Sequence, residues 1–381
     1  MKKPFCCARI VKKDYTNIRL IYSRLGQRKG EYVMKKRLAI VGYGGQGAWH
    51  ANWAIKSDVV ELAGVFDIAQ KRMNAARELG IHTYSSREEL LADKSVDIVL
   101  CATPNDSHKE IVIDALRAGK HTVCEKPVAL SVSDFDEMCF EAEKAGKIFT
   151  VHQNRRYDVD YLAIQSLVNS GEIGETVNIE SRIHGSRGIP SDWRCHKPQG
   201  VGMILDWGVH LIDQMLRLIP KKITKVYCET TNITTDEVDD GFNLRLTFEG
   251  GARATVEVGT YNFLPLPRFY MQAKSGTAII DDWQKKARVA KLKAWCEKDV
   301  LPVQTAAGIT KTMAPRDEIT LDFYELDRPS SDVHDYYRNL VSAIDGKCEI
   351  FVKLPEVRRV LQVMEYAFRS SAEGNAISVN I

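Results

Sequence analysis

The stretch "GMILDWGVHLID", residues 202–213, concentrates groups that could do chemistry. Asp206, His210 and Asp213 sit there among Met203, Ile204, Leu205, Trp207, Val209, Leu211 and Ile212. A helix that is apolar on nearly every side is a buried one. At about 100° per residue the three ionisable groups fall within roughly 60° of one another, on one stripe. Burying three such groups without a task is costly. An Asp and a His four residues apart can share a metal ion, and an imidazole with an ordinary pKa near 6.5 is the natural acid–base group at neutral pH. The other unusual polar residue is Lys126, in Glu125-Lys126-Pro127, directly after the apolar run "TVC".

The elements that would position these groups begin with "RLAIVGYGGQGAWHANWAI", a buried strand, a glycine turn and a helix. In Gly42-x-Gly44-x-x-Gly47 the first glycine permits a tight turn. The second lets backbone approach a pyrophosphate, and the third lets helix and strand pack closely. Gln46 lies in the same turn, and the N–H groups of the following helix start would hold phosphates. A second strand, "VVELAGVFD", ends at Asp67, where an acidic side chain accepts hydrogen bonds from an adenosine ribose. Its charge favours NAD over NADP, with Lys71 and Arg72 placed to soften that preference.

Alternation continues with helices over 69–79, 86–92, 107–118 and 131–145 and strands "VDIVLCA", "HTVCEKP" and "IFTVH". That order predicts a parallel sheet covered on both faces, with ligands beyond the carboxyl ends of the strands. Two strand ends therefore become cofactor-facing candidates. They are Thr103, Pro104 and Asn105 with His108 in the next turn, and Glu125 with Lys126.

After about residue 155 the pattern changes to a helix over 159–169 and long alternating runs. Glu249-Gly250-Gly251 reads as a hairpin between two of them. The expected fold is α/β: an N-terminal Rossmann dinucleotide-binding domain (35–155), then an α+β domain with a large, mostly antiparallel sheet (156–381). The second domain would carry substrate and oligomerisation surfaces. Residues 282–330 read as charged, irregular surface elaboration, and helices over 331–344 and 354–372 close the chain.

Bulk properties narrow the classes. A chain of 381 residues is long for one core. No apolar run approaches a membrane span. Nine cysteines without a C-x-x-C pair fit a reducing, cytoplasmic setting rather than a disulfide framework or structural zinc site. The formal charge of +3 is uneven: residues 1–33 hold nine Lys/Arg against two Asp/Glu, and the remainder is mildly acidic. Nothing therefore points to nucleic acid. The basic leader lacks the apolar core of a secretory signal. "KGEYVM" can be encoded by a ribosome-binding sequence ahead of Met34, so residues 1–34 are expected to be a disordered arm or untranslated leader.

With the GYGGQG turn, the ATPND…H segment, EKP and "GMILDWGVHLID" in this order, residues 35–381 resemble the glucose–fructose oxidoreductase/inositol dehydrogenase/MocA (Gfo/Idh/MocA) family. The chain has Gly200-Val201-Gly202 where that family commonly has three glycines. The resemblance implies that Lys126, Asp206 and His210 gather around the substrate carbon and the nicotinamide. His210 would be the general base, Lys126 would stabilise the negative charge developing on oxygen, and Asp206 would orient a hydroxyl and tune His210. Asp213 would fix the imidazole ring from behind.

"HQNRRYDVDY", residues 152–161, is similar to a segment of sugar- and inositol-oxidising members, which makes Asn154, Arg155 and Arg156 candidates for the pocket floor or for tying domains together. In "GSRGIPSDWRCHKPQG", Trp193, Arg194, His196 and Lys197 could present a flat ring and donors to a polyol. The implied activity is an NAD(P)-dependent dehydrogenase of a sugar or cyclic polyol, without metal, in a homodimer or homotetramer built through the C-terminal sheet. An NAD-dependent glycoside hydrolase and a non-catalytic dinucleotide-sensing regulator are the alternatives on the same scaffold.

Overall fold

The computed structural model describes residues 34–189, 202–293, 301–316 and 318–381. The leader and Trp193, Arg194, His196 and Lys197 lie outside these residues. Lys36–Ile381 packs as one compact unit, organised around two large sheets.

The first sheet comprises β1 (Lys36–Val41), β2 (Val60–Phe66), β3 (Ile98–Cys101), β4 (His121–Cys124) and β5 (Phe149–Val151), all parallel, in the order β2-β1-β3-β4-β5. Leu38, Ile40, Ile98, Leu100 and Val123 are fully buried, as a sheet sandwiched between helix layers requires. Strand order reverses between β1 and β3, and that reversal opens a crevice beyond their carboxyl ends. The glycine turn and Ala102–Asn105 lie there. Connecting helices begin and end on local signals: Ser131 accepts from Asp134 N at 3.1 Å, and Gly146, at φ +60°, ends the same helix.

Among the described residues the second sheet has nine strands. These are β6 (Thr176–His184), β7 (Ile223–Thr231), β8 (Gly241–Phe248), β9 (Arg253–Gly259), β10 (Phe269–Ala273), β11 (Gly276–Ile280), β12 (Arg288–Leu292), β15 (Leu321–Glu325) and β16 (Ile377–Ser378), in the order β15-β12-β11-β10-β6-β9-β8-β7-β16. Among the described strands of this sheet only β6 and β9 pair in parallel. The expected hairpin joins β8 to β9, with Gly250 and Gly251 at φ +84° and +86°, a conformation that favours glycine. Alternation places Phe242, Leu244, Leu246, Ala254 and Val256 in the core, while Arg245 and Arg253 face outward. Each large apolar side chain so buried contributes about 1.5–3 kcal/mol.

Residues 282–330 depart from the irregular reading. β12 and β15 extend the large sheet, and β13 (Val303–Thr305) pairs with β14 (Gly308–Thr310) as a separate hairpin. Their short, charged strands carry few core residues, so periodicity alone does not reveal them. Final helices run over Asp335–Ile344 and Leu354–Glu373.

Candidate functional site

Gly42 leaves β1 at φ +96°, and a Cβ there would come within 2.6 Å of Ala102 O. At Gly47 a Cβ would stand 1.8 Å from Gly42 O, so helix and turn touch backbone to backbone. The helix Gly45–Lys56 begins without any side-chain cap, leaving its first N–H groups for an anionic ligand. Gln46 is exposed at this opening. Asp67 closes the second strand and accepts from Tyr43 N at 2.7 Å and Ala69 N at 2.8 Å. Arg72 pairs with the same carboxylate at 3.1 Å, and its guanidinium carbon is 3.7 Å from where a Cβ on Gly44 would stand. The half-exposed Arg72 thus lies against both Asp67 and the glycine turn.

At the second strand end, Thr103 is half-buried and Pro104 exposed, while Asn105 is buried. His108 departs from its reading as a cofactor contact. It is fully buried, with Nδ1 3.0 Å from Pro127 O and Nε2 2.9 Å from Thr103 O. The ring clips the two strand-end loops together and leaves no nitrogen for a ligand.

Glu125 also turns inward. Its Oε1 accepts from His50 Nε2 at 2.7 Å and His152 Nδ1 at 2.9 Å, and Lys126 N donates to Oε2 at 3.1 Å. Because a carboxylate only accepts, both imidazoles present N–H to it, and His50 Nδ1 accepts the Tyr337 hydroxyl at 2.6 Å. Burial would raise the Glu125 carboxyl, but the two imidazoles hold it well below its usual range. Burial and neighbouring His152 push His50 down to about 4, against its bond to Glu125. The chain Tyr337–His50–Glu125–His152 fixes the backbone from which Lys126 projects. Spacing gave no hint of it, since its members come from four distant segments.

Lys126 then reaches across to the second half of the chain. Its Nζ is 2.7 Å from Asp206 Oδ1 and 3.1 Å from Asp206 O. Residues 204–208 are wound as a π-helix that runs into the α-helix Val209–Leu218. The wider π turn departs from the α-helical spacing assumed around Asp206, whereas His210 and Asp213 both lie in the regular α-helix that follows. Such turns are frequent at functional sites. Asp239 holds the start of this segment, accepting from Ile204 N at 2.8 Å. Gly202, at φ +107°, is packed so closely that a Cβ would meet the Asp239 carboxylate at 2.1 Å.

His210 is 4% exposed, and its Nδ1 has no hydrogen-bond partner among the described residues. Burial, with the charges of Lys126 and Arg155 nearby, holds its pKa well below the ordinary value. The ring is therefore a neutral acceptor beside an ammonium. Asp213 departs from its reading as the group behind His210: its carboxylate takes both Arg156 Nε at 2.7 Å and Nη2 at 2.6 Å. Arg156 likewise departs from its reading as a substrate contact. It is 1% exposed and also bonds Phe351 O at 3.1 Å and Glu356 at 2.6 Å. This pair ties the segments together, the second of the two roles open for Arg156. Asn154 is half-buried at the start of the same short 3-10 turn, and Arg155 next to it stacks on Trp207.

Among the described residues two trios of buried side chains bring ligand atoms within 4.8 Å of one another: His50, Glu125 and His152, and Cys101, His108 and Cys124. In the first, protons already join the three groups; in the second, both His108 nitrogens face carbonyls.

The buried imidazoles give stability a pH dependence. Below pH 6.5 the unfolded chain takes up a proton at His50, whereas the folded chain does so only at about 4. Stability contributed here is complete above pH 6.5 and is lost on acidification at about 1.4 kcal/mol per pH unit across that window. Urea midpoints between pH 7 and 5 should fall, and the proton uptake read from the slope should drop by about one in His50→Gln. An unchanged slope would contradict a neutral buried His50.

Among the described residues no helix is long and apolar enough to cross a membrane. Residues 36–153 match the description "Oxidoreductase family, NAD-binding Rossmann fold", and residues 161–279 match the GFO/IDH/MocA C-terminal domain. A crystal structure described as an NAD-binding protein from Listeria innocua is 43% identical, with a TM-score of 0.87, over 91% of this chain and 99% of that one. The scyllo-inositol 2-dehydrogenase (NADP+) of Bacillus subtilis is 25% identical over 92% of this chain and 97% of its own. Two uncharacterised oxidoreductases of Schizosaccharomyces pombe are 34% and 36% identical, but the match spans only 46% and 47% of their lengths. The chain belongs to the Gfo/Idh/MocA family of oxidoreductases, with an N-terminal NAD-binding Rossmann fold.

Proposed function

We propose that the protein is an NAD(P)-dependent dehydrogenase that oxidises a secondary hydroxyl of a sugar or cyclic polyol. The observation that carries this reading is the 2.7 Å contact between Lys126 and Asp206. It joins a strand end of the dinucleotide fold to the π-helical turn just ahead of a buried, neutral His210. The glycine turn fits a dinucleotide because side chains are excluded at Gly42 and Gly47 and the helix start is uncapped. Gly42, Gly44, Gln46 and Gly47 would line the pyrophosphate, Asp67 the adenosine ribose, and Thr103, Pro104 and the EKP backbone the remainder. Bound NAD would supply the hydride acceptor.

The chain's own groups do the rest. His210 accepts the hydroxyl proton, a task suited to a ring kept neutral near pH 7. Lys126 donates to the same oxygen as it becomes negative, and Asp206 positions Lys126 and a neighbouring hydroxyl. Residues 35–155 form the cofactor domain in this reading, and residues 156–381 the substrate domain. A second copy packs against the outward face of the large sheet, giving a homodimer or homotetramer. The Bacillus and Thermotoga maritima relatives named as inositol dehydrogenases support the substrate class.

The test is a panel of inositols, aldoses and aminosugars, followed by nicotinamide absorbance with NAD and NADP in parallel. Substrate-dependent reduction of the nicotinamide is expected. Release of sugar from glycosides without net reduction would favour a hydrolase and overturn it.

A further inference from the structure

Next to His210 lies an aromatic wall that neither the sequence reading nor the family match assigns. The Trp207 and His210 ring centroids are 6.1 Å apart, and Trp283 stands 5.8 Å beyond Trp207, tilted by 58°. The Arg155 guanidinium lies 4.2 Å over Trp207 and 5.3 Å from the Trp283 ring, held by Asp158 at 3.0 Å. Buried Arg268 approaches Trp283 to 5.1 Å and is itself paired with Asp160 at 2.9 Å.

Two guanidiniums with their own carboxylates thus support one indole. Arg328 fixes its backbone by donating to Trp283 O at 3.1 Å and Gln284 O at 2.9 Å. An indole braced in this way is preorganised, yet Trp283 keeps 40% of its surface exposed. Arg155 and Arg268 already have carboxylate partners, so the wall is not built to recruit a strongly anionic group.

We propose that Trp283, backed by Trp207 and Arg155, is the stacking platform for the C–H face of a ring-shaped, uncharged polyol or sugar whose hydroxyl is presented to His210. This rests on the dehydrogenase reading above. The negative face of an indole attracts the weakly positive C–H groups along one side of such a ring, and the flat contact excludes water from them. An open-chain polyol has no such face. Discrimination between rings and chains therefore resides in a residue from the loop after β11, far in sequence from the Lys126–Asp206–His210 group.

The experiment uses full-length protein, the ring substrate that gives the strongest nicotinamide reduction in the panel above, and the open-chain alditol of equal carbon number. Trp283→Ala is expected to raise KM for the ring substrate about tenfold or more. Its kcat and the NAD dissociation constant should stay within about twofold, with KM for the alditol unchanged. Trp283→Tyr should recover most of the loss. An unchanged KM for the ring substrate, or an equal rise for ring and chain, overturns the platform while leaving the dehydrogenase intact. Wild-type protein that reduces nicotinamide with no ring polyol at all overturns the dehydrogenase reading itself and the platform with it.

Discussion

Replacing Lys126 with Ala is expected to lower kcat by about 100- to 1,000-fold, the usual consequence of removing one charged donor from an oxygen that becomes negative in the transition state. The expectation rests on geometry specific to this chain. Lys126 leaves the end of β4 on backbone anchored through Glu125 to His50 and His152, and its Nζ is 2.7 Å from Asp206 Oδ1. Both side chains are only partly buried, at 15% and 20% exposure, so an Asp206 left without its partner can still be hydrated. The variant should therefore fold with near wild-type stability and bind NAD within about threefold, because the phosphate-facing turn lies elsewhere.

Steady-state rates, a NAD titration and a urea midpoint on the same preparation separate these outcomes. Asp206→Asn provides the control: if Asp206 acts through Lys126, the double variant should be no slower than Lys126→Ala alone. Full turnover by Lys126→Ala would remove Lys126 from the chemistry and, with it, the proposed mechanism.

The sequence displayed the fold more fully than the site. Glycines at 42, 44 and 47 and the alternation up to "IFTVH" identify a parallel dinucleotide sheet because turn sterics and double-sided burial leave direct marks on residue type. Lys126 and Asp206 were recognisable as motif residues, and the structure brings them into contact across 80 positions. The supporting layer was hidden. Asp239 beneath Gly202, Tyr337 behind His50 and Trp283 beside Trp207 come from segments with no local signature, and only tertiary packing brings them to the site. The π turn at 204–208 was invisible for a related reason: a 100° wheel assumes the regular helix that the segment does not form. The i, i+3 spacing of His210 and Asp213 holds in the α-helix Val209–Leu218, but spacing alone cannot show that buried Arg156 takes the Asp213 carboxylate.

Arg156→Ala should instead destabilise the fold severely, and this outcome distinguishes the two roles that the sequence left open. The guanidinium is fully buried and makes two bonds to Asp213, itself 3% exposed, with further bonds to Glu356 and Phe351 O. Deleting it strands the Asp213 carboxylate away from water, a loss of about 3–5 kcal/mol for a broken buried pair. Against a total stability of about 5–15 kcal/mol, that is enough to shift the urea midpoint well down or to empty the soluble fraction. The paired replacement Arg156→Met with Asp213→Leu removes both charges at similar volume and should recover much of the loss. If Arg156 touched substrate, the single variant would fold normally and raise KM. Because Asp213 lies three residues beyond His210, the double variant should also show whether this tie steadies the imidazole: a restored midpoint with a depressed kcat would assign Arg156 and Asp213 to positioning the helix of the proposed base, whereas a restored kcat would confine them to stability.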